Sequence, residues 1–565
     1  MRQPKRNNPT ITLRKERDKI HRHKILPFTI IVTIVAMLLS ACAPATPEAT
    51  EAPTKVVIKA PTETPTETPT AAPPTEAPTE APPTEAPEER GTFRQAHYST
   101  WAGKESLDPV SPTRYLSATY YLYDRLCGVD EKGLPVPELA VSWESDETAQ
   151  KWTFKLREGV TFHDGKPFTS ADVAYTFQHI FDPELESSAA AVLGIVDPEA
   201  IETPDDLTVV FNLKSGHADF PLLLTFYMVR MIPEGSADTI EENPIGTGPY
   251  KLEKYDLDGT TVFVSNDDYW RGPPGCARVE VIAIADMEAR VQASLADQID
   301  FVEELAPEQL AMFEDNPNYV IREVPTGYWQ AFTMDSTVPP FDDVRVRQAM
   351  KLVVDRQEMI DIVLQGHGSV ATDSPVWPGD PYFLEIDRPQ DIEKAKELLA
   401  EAGYPDGLTV ELYVSDIDAF MIPMSVVYKE QAAEAGINVE IKQVPSDGFW
   451  SEYWRVESFT GTHWGQRSAD QVLNEAFRCG ASWGEGYWCN EKFDQLLDDA
   501  RKELDLAKRT ELYQKAQQLL IDEGPVIVFF FKNEIDAMNA RVKGIPLDKF
   551  DYDNIPWHKI YIEEQ

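Results

Sequence analysis

The chain reads as a mixed α/β fold, and two patterns carry that expectation. Residues 152–156 (Trp152, Thr153, Phe154, Lys155, Leu156) alternate apolar and polar side chains, the period of a half-buried strand. Residues 391–402 instead repeat apolar positions at helical spacing and stop at Gly403, a residue suited to the left-handed turn after a helix. Patterns of both kinds are interleaved from about residue 92 to residue 565 rather than segregated into blocks, which is the mark of a mixed body.

The first ninety residues are of another kind. Lys and Arg crowd residues 2–24, residues 25–39 are almost wholly apolar, and Leu39-Ser40-Ala41-Cys42 follows. A charged segment, a short apolar run and small residues make a secretory signal, and the run is too short to span a bilayer comfortably. The four residues resemble the lipobox of bacterial lipoproteins, which implies a signal peptide over 1–41 and a lipid on Cys42. An uncleaved N-terminal anchor is the alternative, and both place the remainder outside the cytoplasmic membrane. Residues 42–91 are Thr, Pro, Glu and Ala in irregular short repeats with almost nothing apolar. Such a composition builds no core and favours extended polyproline conformations, so this stretch is expected to be a disordered tether.

The formal net charge is −43. So negative a protein repels nucleic acid and presents no basic face to a membrane, which leaves the lipid as its expected membrane contact. After Cys42 only Cys127, Cys276, Cys479 and Cys489 remain. An exported chain with four cysteines has room for two disulfides in three connectivities. Cys479 and Cys489 flank a short Gly- and Trp-rich loop, which makes their pairing the expected one. No CxxC or paired His accompanies them, so no zinc signature is present and no metal is expected.

Local signals along the body are clear. His163-Asp164-Gly165 supplies turn chemistry between two strands, so His163 reads as a turn residue rather than a metal ligand. Ser170 or Asp172 is suited to cap a helix whose Val173, Phe177 and Ile180 share a face. Residues 344–364 read as one long amphipathic helix.

A series of motifs then carries a resemblance. Ser106-Leu107-Asp108-Pro109, Pro137-Glu138-Leu139-Ala140, Trp152 to Val160 and Phe162-His163-Asp164-Gly165-Lys166-Pro167-Phe168 follow one another in order. Gly246-Thr247-Gly248-Pro249-Tyr250, NDDYWRG at 266–272, FDDVRVRQA at 341–349 and EAGYPDG at 401–407 continue it, and a late helix over 493–520 completes it. The series resembles the extracellular solute-binding proteins of peptide- and nickel-type ABC importers, family 5. That resemblance implies a bilobal periplasmic-binding-protein-like (Venus-flytrap) α/β fold with an additional domain. The hinge-bearing domain I would comprise 92–136, 243–331 and 526–565, the additional domain II 137–242, and the opposite lobe, domain III, 332–525. It also implies a monomeric receptor without cofactor, partnered by an ABC permease and its ATPase subunits, that captures an oligopeptide, oligosaccharide or other small solute.

The candidate site rests on aromatic density. Five of the chain's twelve tryptophans fall between Phe449 and Trp488. Trp450 and Trp454 are spaced to share a helix face, and core packing is the alternative for any one ring. Trp464, Trp483 and Trp488 have Gly, Ser and polar neighbours and are the expected stacking walls. Peptide-binding members of the family carry Trp-x-x-Asp in this region, its carboxylate pairing with the ligand ammonium. Here the register reads Trp464-Gly465-Gln466-Arg467, placing a cation there, and a slip of three residues would offer Asp470 instead. Tyr328 and Trp329 near a lobe crossing, and Trp101, are further candidates. His463, beside Trp464, is expected to stack or hydrogen-bond rather than coordinate nickel. No HExxH, GxSxG or GxxxxGK[ST] is present, so a hydrolase reading has no motif behind it. A sensory or scaffolding lipoprotein of the same fold is the remaining alternative.

Overall fold

The computed structural model describes residues 90–97, 104–549 and 551–563. Cys42, the signal segment, nearly all of the tether and Trp101 lie outside the described residues. Among the described residues no helix is long and apolar enough to cross a membrane.

The architecture is a large mixed sheet extended by a smaller one. The eleven-stranded sheet runs in the order Ile437–Val444, Leu408–Ser415, Phe459–Trp464, Tyr319–Met334, Val526–Asn539, Phe301–Val302, Thr92–His97, Arg278–Ala283, Thr260–Ser265 and Tyr250–Lys254, with Gly368–Val370 paired beside Val526–Asn539. Its centre is the antiparallel pair Tyr319–Met334 and Val526–Asn539, strands of 16 and 14 residues. Length is what lets these two serve both halves of the sheet, since at about 3.3 Å per residue each spans roughly 50 Å. Their pairing breaks between Pro325 and Trp329. Such a bulge bends the strand and re-aims the side chains within it.

A second, four-stranded antiparallel sheet runs Ala140–Ser145, Lys151–Leu156, Thr208–Asn212, Glu202–Asp205. The alternation at 152–156 is a strand with Trp152, Phe154 and Leu156 buried. Phe154 joins Phe177, Phe211 and Phe220 in edge-to-face contacts with centroids 4.9–5.9 Å apart, an arrangement that the ring quadrupoles favour. Separate apolar clusters form around Phe332, Tyr428, Phe459 and Phe529, and around Phe93, Tyr121, Phe263 and Trp557. Several cores rather than one are what a chain of this length requires.

Three sequence expectations need correction. The helix over 344–364 is two helices, Val344–Leu352 and Arg356–Val363, because Asp355 caps the second by accepting from the Glu358 N–H. The late helix over 493–520 likewise divides into Glu491–Lys502 and Leu506–Glu523, with Asp505 as the cap. The cap of Ser170–Ile180 is neither Ser170 nor Asp172 but Thr169, whose N–H and hydroxyl both donate to Asp172. The helix Ile392–Glu401 begins at Asp391 and ends before Gly403 at φ 100°, as its sequence signals require.

Cys479 and Cys489 form a disulfide. Cys127 and Cys276 are free and buried in different apolar clusters, so the second bridge does not form. His163 is a turn residue: Gly246 N–H donates to its Nδ1 and its Nε2 lies 3.0 Å from Gly248 O. Burial pushes its pKa down to about 4.

Candidate functional site

Several separated stretches of chain converge on a cavity of about 430 Å³. Leu222, Thr225, Phe226 and Tyr227 come from the segment that carries the small sheet. Trp377 and Asp380 follow the short strand Gly368–Val370, and Gln466, Arg467 and Ser468 follow the strand Phe459–Trp464. Glu303, Glu304, Tyr328, Glu534, Asp551 and Asp553 line it from the segments flanking the two long strands, with Arg114 and Arg125 nearby. A volume of this order suits a small solute.

The bulge at 325–329 builds part of this lining. Gly327 N–H donates to Gln466 Oε1 at 2.6 Å, and Gln466 Nε2 donates to Asp551 Oδ2 at 3.0 Å. One amide side chain thus ties the bulge to the acidic C-terminal segment. Tyr328 N–H donates to Thr326 Oγ1, whose hydroxyl donates to Lys532 O, so the kink is held on both sides.

The electrostatics are those of crowded acids. Burial, then the neighbouring Glu304 and Asp536, push the Glu303 carboxyl up to about 8. Burial followed by Asp553 and Glu534 raises Asp551. Glu534 is also raised by burial, against the pull of Arg322, whose Nη1 donates to it at 2.6 Å and donates to Asp536 as well. Asp553 accepts from the Tyr120 hydroxyl. Cations stand at the same cavity. Arg114 lies 4.2 Å over the Tyr227 ring, Arg125 donates to Thr225 O and Asn554 Oδ1, and Arg467 Nη1 donates to Gln466 O. The cavity therefore offers a carboxylate cluster for a cationic group and guanidinium groups for an anionic one. Among the described residues no three His, Cys, Asp or Glu side chains are grouped as a metal site.

Of the residues singled out in the sequence, Arg467 and Tyr328 line the cavity. The tryptophans do not act as expected. Trp464 pairs with Trp329 across the strands and stacks on it at 5.9 Å, both rings being buried. Its indole N–H donates to Glu485 Oε1 at 2.8 Å, and the same buried carboxylate accepts from Thr462 and Trp454. Trp464 and Trp329 are core because strand pairing, not a loop, positions them. Trp488 is also buried and packs edge-on against Phe493. Trp483 is exposed and touches Trp464 edge-to-face without lining the cavity. His463 lies edge-on to Trp450 and 3.5 Å from Asp418.

Asp470 is held within the protein. Arg501 donates to both of its oxygens at 2.7 and 2.9 Å, Tyr513 donates at 2.9 Å, and His217 Nε2 lies 3.1 Å away. Burial would raise its pKa, but Arg501 and His217 hold the carboxyl well below the usual range. The acidic cluster was invisible in sequence: its members lie on three separated segments of a chain with 95 Asp and Glu residues.

Comparison with known proteins accords with this geometry. The family model "Bacterial extracellular solute-binding proteins, family 5 Middle" matches residues 135–481, more than half of the chain. The chain belongs to this family. It is 29% identical over 490 residues to di/tripeptide-binding protein 1 of Pseudomonas aeruginosa, covering 80% of this chain and 90% of that protein. It is 26% identical to heme-binding protein A of Haemophilus influenzae, covering 79% and 88%. Among solved structures, HbpA2 from Haemophilus parasuis superposes with a TM-score of 0.74 at 24% identity, covering 84% of this chain and all of that one. The unliganded open form of the periplasmic murein tripeptide-binding protein MppA gives 0.73 at 20% identity, covering 85% and 98%. This family 5 protein is thus an extracytoplasmic substrate-binding component of the peptide-type ABC-importer class, bilobal in fold, and not an enzyme.

Proposed function

We propose that this protein captures a short peptide with a free amino terminus, or a solute of the same zwitterionic chemistry, and presents it to an ABC permease. The observation that carries the reading is the meeting of Glu303, Glu304, Asp551 and Asp553 with Arg114, Arg125 and Arg467 around one cavity. In the register Trp464-Gly465-Gln466-Arg467, Arg467 would take the place of the acid of peptide-binding relatives. The ammonium partner is supplied instead by carboxylates on the other side of the long strands, which removes the conflict of a cation facing a cation. The names of the di- and tripeptide-binding relatives point the same way. Of the three tryptophans expected to stack on sugar rings, Trp464 and Trp488 are packed in the core and Trp483 lies off the cavity, so an oligosaccharide reading would rest on Trp377 and Tyr328 instead.

The division into lobes follows the segments 92–136, 243–331 and 526–565, with 137–242 as the additional domain and 332–525 as the opposite lobe. The separate four-stranded sheet supports the additional domain, and the separate apolar clusters support the other two, which share the large sheet. Solute would stabilise the closed arrangement by its greater affinity for that state. A lipid on Cys42 and the tether after it would keep this capture body at high local concentration near the permease.

The test is thermal denaturation with panels of free-amine di- and tripeptides, their N-acetylated forms, oligosaccharides and nickel–histidine chelates. A free-amine peptide at a hundred times its Kd should stabilise the native state by about 2.7 kcal/mol, with the acetylated form inactive. Stabilisation by sugars or nickel chelates alone would overturn the reading.

A further inference from the structure

Beside the cavity, the loop between strand Thr208–Asn212 and helix Phe220–Leu223 reaches across to the helices Ala469–Phe477, Glu491–Lys502 and Leu506–Glu523. His217 Nε2 lies 3.1 Å from Asp470 Oδ2, and the Ala218 N–H donates to Arg501 O at 2.6 Å. The Tyr382 hydroxyl lies 2.7 and 2.8 Å from the two oxygens of Asp219, and Arg509 Nη2 stands 3.0 Å from Oδ1. His217 is only 1% exposed and Asp470 2%. The loop also runs close to its own side of the molecule: a Cβ on Gly216 would fall 2.2 Å from Thr148 O, so only glycine fits.

Two properties separate this contact from ordinary core packing. First, it is polar, and the apolar clusters on its two sides are distinct. Second, the helical side keeps hydrogen-bond partners without the loop. Asp470 keeps Arg501, Tyr513 and Asn474, while Arg509 keeps the Tyr382 hydroxyl and Glu503 O. Withdrawing the loop returns His217 and Asp219 to water and splits the Asp219–Arg509 pair, while Asp470 keeps its Arg501 partner and Arg509 keeps two hydrogen-bond acceptors. Opening therefore costs one ion pair and leaves hydrogen-bond partners for each charged group on the helical side, a loss small enough for the contact to form and break.

The contact is also wired to the cavity. Asp380 lines the cavity, and its carboxylate accepts from the Tyr382 N–H and the Ala469 N–H, both at 2.8 Å. One acid thus positions the residue that holds Asp219 and the residue next to Asp470. On the other side, Leu222 and Thr225 line the cavity only a few positions after Asp219. The same short segment thus carries the loop and part of the cavity wall.

We propose that residues 217–219 are a closure latch, docked onto the 382, 470, 501 and 509 side chains when the lobes are shut and released when they part. The latch rests on the reading of the cavity as a solute site between closing lobes. It sets how much of the ligand-free protein is closed, and through that population the apparent affinity for any solute.

The test measures inter-lobe distances with spin labels on Thr203→Cys and Lys515→Cys, both exposed positions, in the ligand-free full chain. Asp219→Ala should deplete the short-distance population about tenfold, the loss expected for charged hydrogen bonds, with an unchanged melting temperature. Asp219→Asn, which keeps a partner for Tyr382 and loses the Arg509 pair, should deplete it less. Should Asp219→Ala not fold, His217→Ala gives the same readout from the Asp470 side. Variants with the wild-type distance distribution would overturn the latch, as would a wild type with no short-distance population. Adding trialanine to wild type reports separately on the solute reading: a failure to narrow the distances counts against that reading and leaves the ligand-free comparison to decide the latch.

Discussion

Glu303→Gln should make the protein more stable, and only at high pH. Burial, then Glu304, raises the Glu303 carboxyl from 4.5 to about 8. A raised pKa in the native state means that folding retains a proton which the unfolded chain has lost. The contribution to stability is whole below pH 4.5 and is lost as pH rises through about 8. Glutamine copies the protonated acid and never ionises, so variant and wild type should match at about pH 4.5 and diverge above it. One unit of pKa is worth ~1.4 kcal/mol. Because Glu303 keeps part of its surface on the cavity, where water screens it, we expect a gain of about 2 kcal/mol at about pH 8.5 rather than the full product. Urea denaturation of both proteins at about pH 5 and about pH 8.5 measures it. A gain that is equal at the two pH values, or a loss at the higher one, would refute the picture of crowded buried acids.

Other consequences follow from single contacts. Glu485→Ala leaves the Trp464 and Trp454 N–H groups and the Thr462 hydroxyl without their buried acceptor, which should cost about 3 kcal/mol and shift tryptophan fluorescence to the red; an unshifted spectrum would contradict it. Gly246→Ala places a Cβ 1.9 Å from Leu122 O, so a loss of about 3 kcal/mol or failure to fold is expected, and wild-type stability would show that the approach is looser than described. Cys479→Ser opens the disulfide loop of sequence separation 10 and should cost about 3 kcal/mol. Reduction should lower the wild-type denaturation midpoint similarly and leave the variant unmoved.

The fold was largely legible in sequence because its signals are local. Alternation at 152–156, the helix closed by Gly403 and the Cys479–Cys489 loop each depend on residues close in the chain. Where the reading failed, a stronger periodicity hid a weaker signal. Asp355 and Asp505 are helix caps in plain view, yet apolar spacing carried the first expected helix through Asp355, and the motif series carried the second through Asp505. The site was legible only in part. Arg467 and Tyr328 do line the cavity, while Trp464 was expected on a loop because of Gly465 beside it, whereas pairing with Trp329 puts it in the core. The carboxylates that define the cavity come together only through the topology of two long strands, and nothing near Glu303 in sequence announces Asp551.

The central claim is that the acidic cluster receives a ligand's positive charge. The measurement that tests it most directly is calorimetric affinity for a free-amine peptide that stabilises the wild type, compared across wild type, Glu303→Gln and Asp551→Asn. The ligand's ammonium must draw the proton off these raised carboxyls to pair with them. The account therefore predicts proton release on binding to wild type, and variants that fold at least as stably as wild type at neutral pH yet bind about tenfold or more weakly at about pH 8.5, the loss expected for a charge-assisted hydrogen bond. Wild-type affinity in both variants would contradict it.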